Sequence, residues 1–191
     1  MDAGSADRAL DCILHVISEA NDYYPLAEVG LIAEALAASG ARVDENLIGC
    51  ALDRLLDSIG RTTDPYTDRY RFQPLGRAAQ ALAARADASS AVLALEFVLA
   101  AIGRTTGTDQ LRAFGQAAQA LVVKGSLEST VPMVVNALKL PTFVYHQRDE
   151  ILIAALRTRH PDMPDAERGF WAAVDWLRER YPNIDLDAPP Q

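Results

Sequence analysis

The residue types that most often perform catalysis are sparse in this chain. Its three histidines, His15, His146 and His160, lie far apart in sequence. The chain also lacks the phosphate-binding, zinc-protease and hydrolase motifs GxxxxGK[ST], HExxH and GxSxG. We expect His15 to be a core or boundary residue of an apolar helix, and His146 and His160 to be solvated. The sequence therefore predicts a non-enzymatic protein with no catalytic residue and no cofactor.

Carboxylates are the remaining candidate ligands for a metal ion. The pairs Asp149–Glu150 and Asp185–Asp187 could bind a cation through their oxygens. Neighbouring acidic residues on helices and tails usually increase solubility instead. We therefore predict no metal site.

The two cysteines, Cys12 and Cys50, have neither the CxxC spacing of a zinc site nor the even set of a disulfide framework. We expect both to be small buried hydrophobes. Residues 1–5 lack the basic and apolar regions of a signal peptide, and no apolar run approaches the ~18 residues that a membrane span needs. The expected location is the cytoplasm, with no membrane partner.

Composition indicates helices that pack through small side chains. Half of the 191 residues are hydrophobic, only 7% are aromatic, and alanine is concentrated between residues 78 and 101. The net charge of −8 disfavours general binding to nucleic acid or anionic membranes, because both carry charge of the same sign. An excess of basic residues is confined to residues 51–86, which contain four acids and six bases.

Two copies of one repeat unit are visible in the middle of the chain. Residues 52–63, LDRLLDSIGRTT, recur 43 residues later as LEFVLAAIGRTT, with seven of twelve positions identical. Residues 75–82, LGRAAQAL, recur 39 residues later as FGQAAQAL, so the first copy contains four extra residues, which we expect to form a loop. A fainter copy covers residues 10–17 and 29–36. A period of this length is typical of stacked helix pairs.

Each unit is predicted to be a pair of helices. The first helix has apolar residues at i, i+3, i+4 and i+7, as in residues 52–59. Gly60 and Gly103 are predicted to stop the two first helices. The expected N-caps are Asp44 and Asp87 for first helices, and Thr63, Asp64 and Thr108 for second helices.

Three glycines, Gly30, Gly76 and Gly115, occupy the same place inside three predicted second helices. A glycine there costs about 1 kcal/mol relative to alanine, so a compensating contact is expected. We expect each glycine, with the alanine three residues later, to form a strip of small residues against which the first helix of the same pair packs.

The expected architecture is all-α, a right-handed α-solenoid of about nine helices forming one domain over residues 1–181. Its units span about 5–40, 44–86, 87–125 and 126–160. The fourth unit is expected to contain helices at about 128–138 and 142–158. A C-terminal capping helix is expected over 165–181, and residues 182–191 form an irregular tail.

Parts of this pattern resemble a bacterial HEAT/armadillo-like helical-repeat family with units close to TTDPYALRALAQGLAAVAARL. The resemblance rests on residues 22–23, 62–66, 75–82, 105–106 and 111–121, with a C-terminal block at 138–142, 170–177 and 184–190. It implies a repeat fold and an interaction role, with no catalytic residue. The chain departs from the family in the insertion after Tyr66 and in its small number of units.

The repeated Gly-Arg-Thr-Thr motif has two interpretations. It suits a helix end, where an arginine lies near the negative pole of the helix dipole. Alternatively, Arg61 and Arg104 project from one edge beside further basic and aromatic residues, a composition typical of binding hot spots. The predicted partner-binding residues are Arg61, Tyr66, Arg69, Tyr70, Arg71 and Arg104, with Tyr23 and Tyr24 in the equivalent earlier turn and Phe72 beside them.

The predicted function is a protein-interaction or adaptor module that binds a protein or peptide. Binding is expected through this turn edge or through the face of the second helices. The alternative is a HEAT-like nucleic-acid-binding protein. Its second helices would offer Arg77, Arg85, Arg112 and Lys124, fewer than the ~6 to 10 phosphate contacts of a tight binder. Nucleic acid is therefore the disfavoured partner.

Overall fold

The computed structural model of the chain describes residues 44–61, 69–139, 147–165 and 170–183, together with positions 8, 12, 15, 29, 31–33 and 35. Every regular element in these residues is an α-helix, which confirms the predicted all-α class. The isolated positions before residue 44 are helical too. Seven helices have described bounds: α1 (Glu45–Arg61), α2 (Arg69–Ala83), α3 (Ala88–Arg104), α4 (Thr108–Lys124), α5 (Leu127–Lys139), α6 (Gln147–Arg159) and α7 (Phe170–Arg180).

The helices pack as two layers of alternate elements. Helices α1, α3 and α5 contact one another in order and form the first-helix layer. Helices α2, α4 and α6 do the same and form the second-helix layer, whose internal contacts are the most extensive in the fold. Each first helix also packs on the second helix that follows it, and α7 packs on α6. The core lies between the layers.

The apolar stripes predicted from periodicity form this core. Helix α1 buries Leu52, Leu55, Leu56 and Ile59, and α3 buries Leu95 at the position equivalent to Leu52. Burying each such side chain contributes roughly 1.5–3 kcal/mol. Packing of the stripes, more than intrinsic helix propensity, therefore fixes where α1 and α3 lie.

The predicted N-caps of the first helices are confirmed. Asp44 Oδ1 accepts a hydrogen bond from the Asn46 N–H at 2.8 Å. Asp87 Oδ1 accepts from the N–H groups of Ser89 and Ser90 at 2.8 and 3.0 Å. The Ser90 hydroxyl, which donates to Asp87 Oδ2, and these backbone bonds hold the pKa of the Asp87 carboxyl below its usual value.

Several predicted helix ends were wrong. Helices α1 and α3 continue through Gly60 and Gly103 for one more residue, and neither glycine adopts positive φ. Helix α3 ends because Thr105 has an extended backbone, with φ −79° and ψ 138°. Helix α4 follows Gly107, which offers no side-chain cap, so Thr108 is the first helical residue. The other two predicted caps, Thr63 and Asp64, lie outside the described residues.

The bounds of the last three helices differ from those predicted. Helix α5 extends the predicted element by one residue at each end. Helix α6 is described from Gln147, and residues 140–146, which include His146, lie outside the described part. Asp165 is not helical, so the capping helix does not begin there and is described as Phe170–Arg180. The tail beyond Asn183 also lies outside the described residues.

Close packing at the internal glycines is present, but the predicted neighbour was wrong. A Cβ added to Gly76 would lie 2.9 Å from Cα and 3.1 Å from Cβ of Ala113 in α4. A Cβ added to Gly115 would lie 2.8 Å from Ile151 Cγ2 in α6. The glycines therefore bring together second helices of successive pairs, whereas the prediction placed them between the two helices of one pair. Gly30 lies outside the described residues.

Side chains that bond to helix-end carbonyls connect successive pairs. Gln110 Nε2, in the first turn of α4, donates to the Ile59 carbonyl of α1 at 2.6 Å. Arg148, in the first turn of α6 and only 4% exposed, donates to the Thr105 carbonyl that follows α3. Carbonyls at a helix C-terminus lack partners within the helix, so each bond satisfies a group that would otherwise be unpaired.

Helices α4 and α6 run in the same direction. Arg148 at the start of α6 contacts Thr105, three residues before α4 begins. Arg159 at the end of α6 donates to the carbonyls of Val122 and Gly125 at the end of α4, both at 2.7 Å. The two helices therefore lie side by side in parallel along their lengths.

Candidate functional site: a groove between α4 and α6

Two arginines of the predicted turn edge are described, and each is the last residue of a first helix. Arg61 ends α1 and Arg104 ends α3, and both side chains are exposed. Gln110, which follows Arg104 by six residues, bonds to the Ile59 carbonyl, so the two helix ends lie on one edge. Arg61 pairs with Asp57 at 2.6 Å, with the side chains 79% and 47% exposed. A pair this exposed contributes little to stability.

The other residues predicted for this edge either lie in helix α2 or lie outside the described residues. Arg69, Tyr70 and Arg71 belong to the first turn of α2, not to an inserted loop. Tyr66, Tyr23 and Tyr24 lie outside the described residues. Phe72 is 6% exposed and is part of the core.

Three residues are exposed although Cys12 and Cys50 were expected to be buried and His15 was expected to lie in the core or at its boundary. Cys12, Cys50 and His15 all face solvent, so the prediction was wrong for each. Arg8, Cys12 and His15 follow the spacing i, i+4 and i+7 of one helical face, and this face is exposed. Cys50 lies on the face of α1 opposite its buried stripe.

His160, which was expected to be solvated, is half-buried between α6 and α7. Its Nε2 lies 2.9 Å from Tyr181 Oη, and its ring centroid lies 5.5 Å from that of Trp176. Burial, followed by the positive charges of Arg159 and Arg180, lowers the pKa of the imidazole below 6.5. A neutral ring in contact with two aromatic side chains serves as a packing contact between the two helices.

The carboxylates give no metal site in the described part of the chain. Glu150 is exposed and Asp149 is half-buried on α6. Among the residues that the structure describes, no three His, Cys, Asp or Glu side chains cluster closely enough to hold an ion. Asp185 and Asp187 lie outside those residues.

A groove of about 520 Å³ lies between α4 and α6 on the second-helix layer. Its volume falls within the ~300–1,000 Å³ that ligand sites typically occupy. The lining residues are Thr108, Arg112, Gly115, Gln116 and Gln119 of α4, and Glu150, Ile151 and Ala154 of α6. Two parallel helices thus form the walls.

The apolar residues of the groove form its floor and are small or tightly packed. Ile151 packs against the backbone of α4 at Gly115, where any Cβ would meet the Ile151 side chain. Ala154 lies one turn further along α6 and adds only a methyl group. A larger residue at position 154 would therefore fill the groove.

One wall presents two amide side chains at helical spacing. Gln116 and Gln119 line the groove one turn apart on α4 and are both half-buried, and the Gln116 amide oxygen also lies against Gly76 of α2. Each amide offers two donors and an acceptor oxygen. An extended peptide backbone presents alternating N–H and C=O groups, which such a wall can match.

The charges in the groove are mixed in sign. Arg112 of α4 is exposed and pairs with Asp109 at 3.2 Å. Glu150 adds a carboxylate on the α6 side. The basic residues Arg77 and Lys124 do not line this groove. A polyanion would therefore meet both attraction and repulsion there, whereas an uncharged backbone would meet neither.

The sequence contains a partial signal for this site. Gln119 belongs to the repeated segment and matches Gln80 in the preceding copy, so a polar residue recurs at one place on the second helices. The opposite wall could not be inferred in the same way. Its Ile151 and Ala154 come from a helix that lacks a close copy elsewhere in the chain, and their contact with Gly115 depends on how α6 packs.

Comparisons with known proteins assign neither a family nor a function to the chain. No protein-family model, no curated protein and no solved structure matches the chain. Among the described helices, none has both the length and the apolar character needed to cross a membrane.

Proposed function

We propose that the chain is a non-enzymatic protein-interaction module, an α-solenoid of paired helices that binds an extended segment of a partner protein in the groove between α4 and α6. The observation that carries this proposal is the Gln119 amide, with Gln116 one turn away, beside the apolar residues Ile151 and Ala154 of the same groove. Parallel second helices, tied to the preceding pair by side chain to carbonyl bonds, support the solenoid arrangement.

The dimensions of the groove suit a short extended segment. Thr108 and Gln119 mark its ends on α4, which corresponds to about 16 Å at 1.5 Å per residue. An extended chain advances about 3.3 Å per residue, so the groove accommodates roughly five residues. A segment of this length places backbone amides beside both glutamines.

The expected affinity of such a segment is modest. Each hydrogen bond to a glutamine contributes about 0.5–1.5 kcal/mol net, and one aliphatic side chain on the floor contributes about 1.5–3 kcal/mol. Three or four bonds and one such contact sum to about 3–9 kcal/mol, and the loss of translational and rotational freedom on association costs at least about 4 kcal/mol. The groove alone should therefore bind no more tightly than a Kd of about 0.1 mM. Stronger binding would need additional contacts, and the exposed turn edge with Arg61 and Arg104 is a further candidate surface.

A peptide backbone fits the groove better than a nucleic acid does. Nucleic acid binding depends on several phosphates meeting cations on one surface. In this groove Arg112 pairs with Asp109, and Glu150 is part of the lining. The mixed charge favours a ligand recognised by its amides.

The test begins with a random-peptide phage library selected on the purified full chain. Enriched peptides are synthesised, labelled and titrated by fluorescence anisotropy against wild type, Gln119→Ala and Ala154→Phe. We expect each variant to weaken binding by about tenfold or more, which corresponds to about 1.4 kcal/mol. The matched controls are Gln80→Ala, at the equivalent place on α2, and Ala84→Phe, an exposed alanine outside the groove.

Results that contradict binding in the groove would indicate other binding surfaces. Binding that survives both groove variants but is lost in the double variant Arg61→Glu with Arg104→Glu would move the site to the turn edge. A strongly salt-dependent gel shift with random-sequence DNA, together with no peptide enrichment, would favour the nucleic-acid alternative. Equal losses of binding in the control variants and the groove variants would show that the groove is not the binding site.

A further inference from the structure

Helix α3 is apolar on the side that faces away from the core. Leu93 is 68% exposed, Phe97 is 40% exposed, and Ala100 is exposed one turn later. Their spacing of i, i+4 and i+7 places them in one line along the helix. A single exposed apolar residue is common on a protein surface, but a continuous stripe usually marks a docking surface.

The equivalent stripe on α1 shows that the fold does not require these apolar residues. The repeat offset of 43 residues pairs Leu93 with Cys50, Phe97 with Arg54 and Ala100 with Asp57. Arg54 is exposed, and Asp57 pairs with Arg61 on the surface. The fold therefore tolerates charged residues at these positions of α1, which lies in the same layer. The presence of apolar residues at the equivalent positions of α3 is not explained by packing within the chain.

The charges that border the stripe on α3 are self-complementary. Glu96 and Arg104 are both exposed and lie four residues before and four residues after Ala100. If two α3 helices cross in antiparallel orientation at Ala100, Glu96 of each copy lies opposite Arg104 of the other. The same register places Phe97 opposite Gly103 of the second copy, where the space around the missing Cβ is open.

We propose that the α3 stripe, Leu93, Phe97 and Ala100, is a self-association surface that binds α3 of a second copy of this chain in antiparallel orientation. The small residues Ala100 and Gly103 allow the two helix axes to approach to about 8 Å. Two Glu96–Arg104 ion pairs fix the register. A two-fold axis through the crossing uses the same patch on both copies, as most homodimers do.

The charge pattern decides between a second copy and other occupants of the stripe. A membrane surface would require flanking cations, whereas the border here contains one acid and one base and the chain has a net charge of −8. An unrelated partner would have no reason to match two opposite charges placed symmetrically about Ala100. One helix from each copy gives an interface at the small end of the range, so a reversible dimer is expected.

This dimer leaves the groove between α4 and α6 accessible. Helix α3 belongs to the first-helix layer, and the groove lies on the second-helix layer. Self-association and peptide binding in the groove therefore depend on different residues. Arg104 belongs to both the α3 surface and the turn edge, so the oligomeric state of the Arg61→Glu, Arg104→Glu variant is measured together with its peptide binding.

The test is sedimentation equilibrium of the full chain over a wide concentration range at low and high salt. Wild type should change reversibly between the 20.7 kDa monomer and a species of twice that mass, and salt should weaken the association. Phe97→Arg, which introduces the residue type of the equivalent position on α1, should raise the dimer Kd by at least tenfold while leaving the circular dichroism spectrum and Tm unchanged. Val123→Ser, at an exposed apolar site on α4, is the matched control and should dimerise like wild type.

A charge exchange tests the antiparallel register. Glu96→Arg alone should weaken the dimer, and combining it with Arg104→Glu should restore association to near the wild-type level. A wild-type chain that stays monomeric at all concentrations would overturn the proposal. The proposal would also be overturned if the Phe97→Arg variant still dimerised, or if the double exchange failed to restore the dimer. A monomeric chain that sediments with anionic phospholipid vesicles would overturn it as well.

Discussion

Replacing Gly76 by alanine should destabilise the protein, although alanine is the better helix former. Gly76 lies inside α2 at its interface with α4, the most extensive helix contact in the described structure. The added Cβ would lie 2.9 Å from Ala113 Cα and 3.1 Å from Ala113 Cβ. Backbone atoms cannot rotate away, so the two helices must separate by several tenths of an ångström.

The magnitude follows from two opposing effects. Alanine in place of glycine inside a helix contributes about 1 kcal/mol in favour of folding. Overpacking a tight interior contact costs about 1–3 kcal/mol, and contact with a backbone belongs near the upper end. The Gln116 side chain must also move. We expect a net loss of about 1–2 kcal/mol in the free energy of unfolding.

Two other glycines provide graded controls. In α1, a Cβ on Gly49 would meet only Ser90 Oγ at 3.7 Å, an ordinary contact, so Gly49→Ala should stabilise the protein by up to about 1 kcal/mol. In α4, a Cβ on Gly115 would meet the Ile151 side chain, which can adjust its rotamer more easily than a backbone can shift. Gly115→Ala should therefore fall between the other two.

The assay is urea denaturation followed by far-UV circular dichroism, with the slope of the transition checked for constancy across variants. The expected order of stability is Gly49→Ala, then wild type and Gly115→Ala within about 1 kcal/mol of each other, then Gly76→Ala. If Gly76→Ala is as stable as Gly49→Ala, then α2 and α4 are not in close contact at Gly76 and the packing account is wrong.

Two further predictions concern polar contacts between helices. Arg148→Ala removes the donor to the buried Thr105 carbonyl and should lower the free energy of unfolding by about 2–3 kcal/mol, whereas Arg112→Ala, at an exposed pair, should change it by under about 1 kcal/mol in the same assay. His160 has a folded-state pKa below its unfolded value of about 6.5, so the unfolded state binds more protons and stability should fall as the pH decreases below about 6.5. Thermal melts of His160→Gln should show a smaller decrease over that range, and an unchanged pH dependence would contradict this assignment.

The core of the first helices could be predicted from the sequence because its cause is local and periodic. A 3.6-residue pattern at Leu52, Leu55 and Leu56 allows only one buried face in a helix, and the structure buries that face. The caps at Asp44 and Asp87 were predictable for the same reason, since a carboxylate satisfies N–H groups within three residues of itself.

The environment of the internal glycines could be predicted only in part from the sequence. Comparison of repeat copies correctly predicted a tight contact at Gly76 and Gly115. It gave the wrong neighbour, because equivalent positions in two copies share an environment without revealing which helix provides it. The contact with Ala113 and Ile151 depends on the packing between successive pairs, which no single unit encodes.

The candidate site could likewise be predicted only in part from the sequence. Gln119 lies in the repeated segment and could be recognised as a recurring polar residue on a second helix. Ile151 and Ala154 complete the groove only because α6 runs parallel to α4 with Ile151 at Gly115, an arrangement that spacing along the chain does not specify. Cys50 was predicted to be buried because cysteine usually is, and His15 was placed in the core or at its boundary because its helix is apolar, while the exposure of each residue depends on which face of its helix it occupies.

The most direct test of the groove as a binding site uses isoleucine methyl groups as probes, without any substitution. Ile151 lies on the groove floor, and Ile48 lies in the core of α1 away from the groove. In a methyl-labelled NMR titration with a selected peptide, the Ile151 resonance should shift progressively and saturably while the Ile48 resonance stays in place. Saturable binding that leaves the Ile151 resonance unchanged would contradict the account.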